Sequence, residues 1–124
     1  MILNSVIKGT PYENYLKFIY AQSLHETGNF ESTLFKRFNN PMGMGVPVYR
    51  KSFRNGEWRS ANGEIFSTYS SVRNGFKDFV QWMKYSKMPA DLTTCKQYAK
   101  YMVKKNYATD PLYYEKLVNR CENG

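Results

Sequence analysis

The chain is poor in the residues that usually hold metals. It has one histidine, two cysteines and only ten acidic residues against eighteen basic ones. There is no Cys-x-x-Cys pair and no second histidine, so no ligand set stands at zinc spacing; this argues against a zinc hydrolase, and no metal or other cofactor is expected. Cys95 and Cys121 lie in segments that read as ordinary amphipathic helices. Whether they pair is open, and a Cys/His dyad with His25 asks only for residue types that are present. No apolar run is long enough to cross a membrane. Residues 1–8 lack a basic stretch followed by a full apolar one, so they do not read as a secretory signal. Helix-turn-helix, zinc-finger and ribonucleoprotein motifs are missing as well, and the lysines are scattered. A nucleic-acid-binding domain is therefore supported by charge alone, and no nucleic-acid partner is expected.

What is present is a formal charge of +8 and eleven Tyr with eight Phe in 124 residues. The length predicts one domain over 1–124 with a single core. The charge predicts attraction to a polyanion. The aromatic content exceeds what so small a core needs, so most rings should pack inside and the rest should line a groove.

The residues that organise the chain are Ala21-Gln22-Ser23-Leu24-His25-Glu26-Thr27-Gly28. Upstream, Thr10-Pro11-Tyr12-Glu13 reads as a capping box with proline at the first helical position, and Leu16, Ile19, Tyr20 and Ser23 recur on one face. The spacing predicts a helix over 11–25 that ends at Gly28 in a left-handed cap. Glu26 then falls in the last turn, where the negative end of the helix dipole disfavours a carboxylate. Desolvation by aromatic and methionine side chains acts in the same direction, towards an acid that keeps its proton near neutral pH.

Residues 30–38 read as a short helix or turn carrying Leu34 and Phe35 inward, and 39–45 as a glycine-rich loop in which Gly43 and Gly45 permit tight backbone. The period then changes. Val48, Arg50 and Ser52, and later Ile65, Ser67 and Tyr69, alternate around the turn dipeptides Asn55-Gly56 and Asn62-Gly63, which predicts a small antiparallel lobe over 46–69. Ser71 caps a helix to about 86 with Val72, Phe76, Phe79, Val80 and Met83 inward. Thr94-Cys95-Lys96-Gln97 is a second capping box, opening a helix with Tyr98, Met102 and Val103 that stops near 106. Asp110-Pro111 caps a last helix over 111–120.

Four of these segments resemble glucosaminidase-type peptidoglycan hydrolases, a lysozyme-like group that includes flagellar muramidase and autolysin domains. The stretch from Ala21 to Gly28 is similar to their "AQ-x-x-x-E-[ST]-G". Asn39-Asn40-Pro41-Met42-Gly43-Met44 resembles "N-N-L-F-G-I/M", Phe66-Ser67-Thr68-Tyr69-Ser70-Ser71 resembles "F-R-x-Y-x-S", and Tyr107-Ala108-Thr109-Asp110-Pro111-Leu112-Tyr113 resembles "G-Y-A-T-D-P-x-Y". The four occur in the family's order over residues 11–117.

The resemblance implies an α+β, mainly helical, lysozyme-like fold with about five helices around the one bearing Glu26 and a small β-hairpin lobe closing a groove. It implies cleavage of the β-1,4 glycan of peptidoglycan, most directly at the N-acetylglucosaminyl bond, with Glu26 as general acid. Tyr107 would orient that acid or the sugar's N-acetyl group, and Asn40, Met42, Gly43 and Tyr69 would contact substrate. Relatives often carry a second acid ahead of the Asn-Gly turn, and here that position holds Ser52. Glu57, beside Trp58, is then the first choice for the second carboxylate and Glu64 the other. A single-acid mechanism of the lytic transglycosylase kind, a muramidase, and a catalytically silent wall-binding or virion module are the alternatives. The expected partner is the glycan strand, the expected state a monomer, and the expected place of action the bacterial cell wall, reached by phage lysis, a virion or a dedicated secretion system.

Overall fold

The computed structural model describes residues 2–124. Six α-helices and one two-stranded sheet occur among them: α1 (Ile2–Ile7), α2 (Leu16–Thr27), α3 (Thr33–Phe38), β1 (Gly56–Arg59), β2 (Ile65–Thr68), α4 (Val72–Tyr85), α5 (Cys95–Lys104) and α6 (Tyr113–Asn123). The class is α+β, mainly α, as expected. Helix α1 adds one element to the five read from sequence, because its Leu3 and Ile7 are buried against α4 and α2 although six residues are too few to show a period.

Helix α2 begins later than the sequence suggests. A 3₁₀ turn, Glu13–Tyr15, precedes it, and the capping pairs are displaced: Thr10 Oγ1 accepts from Tyr12 N at 3.1 Å and Glu13 Oε2 from Gly9 N at 3.1 Å. The cause is tertiary. Tyr12 and Tyr15 donate their hydroxyls to the carbonyls of Met88 (2.9 Å) and Pro89 (2.6 Å), which draws the first turn towards the 88–92 segment. Phe18, Ile19, Ala21, Gln22 and Ser23 are all buried, so α2 is packed on nearly every side and has no single apolar stripe. Tyr20, placed on the core face from sequence, is 37% exposed. The helix ends as predicted, with Gly28 left-handed at φ 56° and its N–H, with that of Asn29, returning to carbonyls of the last turn.

Two other caps follow the sequence closely. Ser71 Oγ accepts from Asn74 N at the start of α4, and Thr94 and Gln97 form a complete capping box on α5. Val103, expected inside, is 45% exposed, while Tyr98, Ala99 and Met102 carry the buried face of α5. The last helix starts at Tyr113 and runs to Asn123. Asp110 Oδ1 accepts from Leu112 N at 2.9 Å and Oδ2 pairs with Lys116 Nζ at 2.7 Å, so this residue organises the entry turn as expected. Cys95 and Cys121 form a disulfide that joins the start of α5 to the end of α6. No free cysteine remains among the described residues, which removes the Cys/His dyad.

The lobe is smaller than read from sequence. Among the described residues the only strands are β1 and β2, paired antiparallel with Glu57 opposite Ser67 and Trp58 opposite Phe66, and Gly45 adds an isolated bridge to Phe66. Asn62-Gly63 lies in the connecting turn, with Gly63 at φ 90°, but Asn55-Gly56 does not turn; Gly56 opens β1. Residues 46–55 form no strand. Arg50 turns inward instead, its guanidinium bonding Asp78 Oδ1 at 2.6 Å, and Tyr69 donates its hydroxyl to the same carboxylate. Burial pulls the Asp78 carboxyl upward, but the bonds from Arg50 and Tyr69 outweigh it and hold it below the usual carboxylate range. A buried pair broken at one partner typically costs 3–5 kcal/mol, so this bond outweighs the weak alternation of Val48, Arg50 and Ser52.

Candidate active site

The C-terminal turn of α2 places Glu26 on the wall of a groove. A pocket of about 350 Å³ there is lined by Glu26 and His25 from α2, Leu34 from α3, Gly43, Glu64 and Phe66 of the lobe side, and the 107–113 segment. Ser23, one turn before Glu26, donates its hydroxyl to the Pro41 carbonyl at 2.8 Å, which ties the glycine-rich loop to the helix. Gly43, at φ 67°, brings its backbone so close that a Cβ there would lie 2.8 Å from Glu26 Oε1. Gly75 admits the other end of this loop, since a Cβ on it would sit 2.4 Å from Pro41 Cδ.

A buried hydrogen-bond chain ends on the carboxyl. Tyr98 donates to Gln22 Oε1, Gln22 Nε2 donates to the Tyr113 hydroxyl at 3.0 Å, and Tyr113 donates to Glu26 Oε2 at 2.5 Å. The Tyr113 oxygen already accepts from Gln22, so its proton is directed at Oε2. When Glu26 is protonated the acidic hydrogen therefore belongs on Oε1, the oxygen beside Gly43. Desolvation raises the Glu26 pKa from 4.5 to about 7, and the Tyr113 bond opposes that rise. The apolar surroundings anticipated from sequence are the cause. His25 packs edge-on against Tyr113 with ring centroids 5.4 Å apart, and burial, then Arg120 and Lys116, lower its pKa, so it is neutral at neutral pH.

The other residues named from sequence fall in different places. Asn40 is 0% exposed and its amide is fully committed: Nδ2 donates to Met44 O (3.0 Å) and Ser67 O (2.9 Å), and Oδ1 accepts from the backbone N–H groups of Met42 (3.3 Å) and Met44 (3.1 Å). It shapes the loop and has nothing left for an N-acetyl group. Asn39 likewise binds the Tyr69 carbonyl at 2.9 Å. Met42 (0% exposed) and Tyr69 (2% exposed) are core side chains, the latter held to Asp78, and neither side chain opens on the groove. Of the four, Gly43 alone stands at the groove.

Tyr107 lines the groove, but its hydroxyl donates to the Met42 carbonyl at 2.5 Å and not to Glu26. It fixes the loop; the tyrosine on the acid is Tyr113. Tyr113 closes the Tyr107–Tyr113 segment, and the single sign of its importance in the sequence is that it is a second tyrosine there. Glu57 is exposed and shares its strand pair with Ser67, on the face away from Trp58 and Phe66, and it does not line the pocket. Glu64 does, with Asn62 Nδ2 donating to it at 3.1 Å. Ser52 lies in the irregular segment and accepts from Arg54 N at 3.1 Å, so the strand register that placed an acid position there does not apply. No cluster of three or more metal-ligating side chains occurs among the described residues.

Residues 9–123 match the Glucosaminidase family, described as mannosyl-glycoprotein endo-beta-N-acetylglucosaminidase. Among solved structures the chain is similar to a peptidoglycan hydrolase from Sphingomonas sp. A1, at 26% identity and TM-score 0.69 over 87% of this chain and 74% of that one. Its fold is also similar to the glycoside hydrolase domain of FlgJ from Salmonella typhimurium, at 20% identity and TM-score 0.66 over 98% of this chain and 80% of that one. A third similar fold is the catalytic domain of the autolysin Auto from Listeria monocytogenes, at 21% identity and TM-score 0.66 over 98% and 77% of the two chains. No curated protein sequence matches the chain.

Proposed function

Because this chain belongs to the Glucosaminidase family, we propose that it hydrolyses the β-1,4 glycan backbone of peptidoglycan, at the N-acetylglucosaminyl bond, with Glu26 as the general acid. The observation that carries this reading is a glutamate on a groove wall, raised to about 7 by desolvation and directed by Tyr113. An acid of that strength keeps a large protonated fraction near neutral pH and still gives up its proton, which is what leaving-group protonation requires.

In this mechanism the Oε1 proton passes to the glycosidic oxygen as the C1–O bond breaks, and the electron pair leaves with that oxygen. Positive charge develops on the sugar ring, and Tyr113 steadies the carboxylate that is left. A water then adds at C1 and loses its proton to a carboxylate. Glu64, which lines the same pocket, replaces Glu57 as the residue for this second role. A mechanism without a second acid, in which the substrate's own N-acetyl or 6-hydroxyl group attacks C1, is the alternative that Glu64's exposed position favours. The place of action is the bacterial cell wall.

The test is mass spectrometry of peptidoglycan digested by the protein and by Glu26→Gln. Reducing-end N-acetylglucosamine from wild type is expected, with the variant slower by about 10²- to 10⁴-fold. An anhydro-muramic product would move the activity to the transglycosylase class. A variant within a few-fold of wild type would remove Glu26 from the acid's role.

A further inference from the structure

The groove does not stop at Glu26. A second pocket of about 230 Å³ adjoins the first, sharing Gly43 and Tyr107 with it, and on its far side stand Trp82, Arg50, Lys105 and Asn106. The two pockets differ in charge. The first is lined by the carboxyls of Glu26, which keeps its proton up to about 7, of Asp110, which is paired with Lys116, and of Glu64, its one carboxylate with no ion pair among the described residues. The second has two cations and no acid on its lining, and Arg50 is already neutralised by Asp78. Lys105 is therefore the uncompensated charge there; it forms no ion pair among the described residues, and its ammonium lies 5.7 Å from the centroid of the Tyr101 ring. The end of α5 does not cancel it, since Lys105, Asn106 and Tyr107 N–H groups bond the carbonyls of Tyr101, Val103 and Met102. Trp82 is held between Phe79 (5.7 Å) and Tyr107 (5.0 Å), giving the pocket a fixed aromatic wall.

A ligand that spans both pockets meets carboxyls beside Glu26 and an unpaired cation beside Trp82, so its best match is neutral at the first and anionic at the second. We propose that the Trp82–Lys105–Asn106 pocket binds a carboxylate-bearing substituent on the sugar next to the cleaved bond, with Lys105 as its counter-ion. This assignment rests on the glycan-cleaving reading of Glu26 and makes the pocket a specificity site for acidic glycan. In peptidoglycan such a substituent is the lactyl group of a muramyl unit that carries no peptide, or the peptide where one is attached.

The experiment is isothermal titration of the non-cleaving Glu26→Gln protein, with and without Lys105→Met, against three oligosaccharides of equal length. One is a neutral N-acetylglucosamine oligomer, one a muramyl glycan freed of peptide, and one the peptide-bearing glycan. Loss of an exposed counter-ion is expected to weaken binding of an acidic ligand roughly two- to tenfold. The neutral oligomer should bind both proteins equally, and added salt should narrow the difference on the acidic ones. A loss confined to the peptide-bearing glycan assigns the carboxylate to the peptide; a loss confined to the peptide-free glycan assigns it to the lactyl group, whose carboxyl is an amide once peptide is attached; a loss on both shows that the pocket takes either carboxylate. Equal losses on all three ligands, or none, would overturn the proposal. Because binding is read without turnover, Lys105-dependent binding of acidic glycan by the Glu26→Gln protein, beside wild-type protein that cleaves nothing, would refute the hydrolase reading and sustain the pocket.

Discussion

Replacing Glu26 by Gln should make the protein more stable, and by an amount that depends on pH. In the folded chain Glu26 keeps its proton up to about 7, against 4.5 for the ordinary side chain. The stability that accompanies the raised value is fully present below 4.5 and is lost as pH rises through 7, because over that interval the folded state holds a proton that the unfolded state has released. Each pH unit between the two values corresponds to about 1.4 kcal/mol, so about 3 kcal/mol of wild-type stability should disappear between pH 4.5 and pH 8. Glutamine does not titrate, and its Oε1 can still accept from Tyr113. The variant should therefore match wild type near pH 4.5 and exceed it near pH 8 by roughly 2–3 kcal/mol, which for a domain of this size is about 10 °C in Tm. Paired thermal melts by circular dichroism at half-unit steps from pH 4.5 to 8.5 give the difference directly, since groups common to both proteins cancel. The cleavage rate of wild type should fall on its alkaline side as pH passes about 7, where the folded acid ionises. A Tm difference that does not change with pH would refute the desolvated acid, whatever the activity of the variant.

Tyr113→Phe removes the bond that favours the Glu26 carboxylate, so the alkaline limb of the pH–rate profile should move to higher pH while the maximal rate falls; an unmoved limb would leave Tyr113 a packing residue. Gly43→Ala places a Cβ 2.8 Å from Glu26 Oε1 at φ 67° and should cost about 1–3 kcal/mol with most of the activity, whereas Gly28→Ala, also at positive φ but facing open space, should lower Tm and spare activity. Equal kinetic effects from these two would show that contact with the acid is irrelevant. Replacing Cys95 and Cys121 together by Ser opens a link between positions 26 residues apart and should cost about 3 kcal/mol, read as a lower Tm with activity kept at 25 °C.

Local chemistry settled much of the fold before any packing was known. Ser71, the Thr94–Gln97 box and Gly28 each satisfy orphan backbone groups with their own or neighbouring atoms, so their meaning survives without a tertiary partner. The burial of Phe76, Phe79, Val80 and Met83 follows from spacing for the same reason. The candidate acid was also legible: Glu26 combines a helix end with a glycine stop, and the fold sets it on the wall of a groove.

Tertiary structure decided which side chains serve that acid. Asn40 and Tyr69 have the chemistry to hold a sugar, yet burial turns one towards four backbone groups of its own loop and the other towards Asp78. Tyr107 and Tyr113 are equivalent by sequence; the packing of α6 on α2 puts the second on Glu26, while the first reaches the Met42 carbonyl. Glu57 and Glu64 are separated by the hairpin register, which directs one away from the groove and leaves the other on its wall. In each case the residue type sets what a side chain can bond, and long-range packing sets which partner lies within about 3 Å of it.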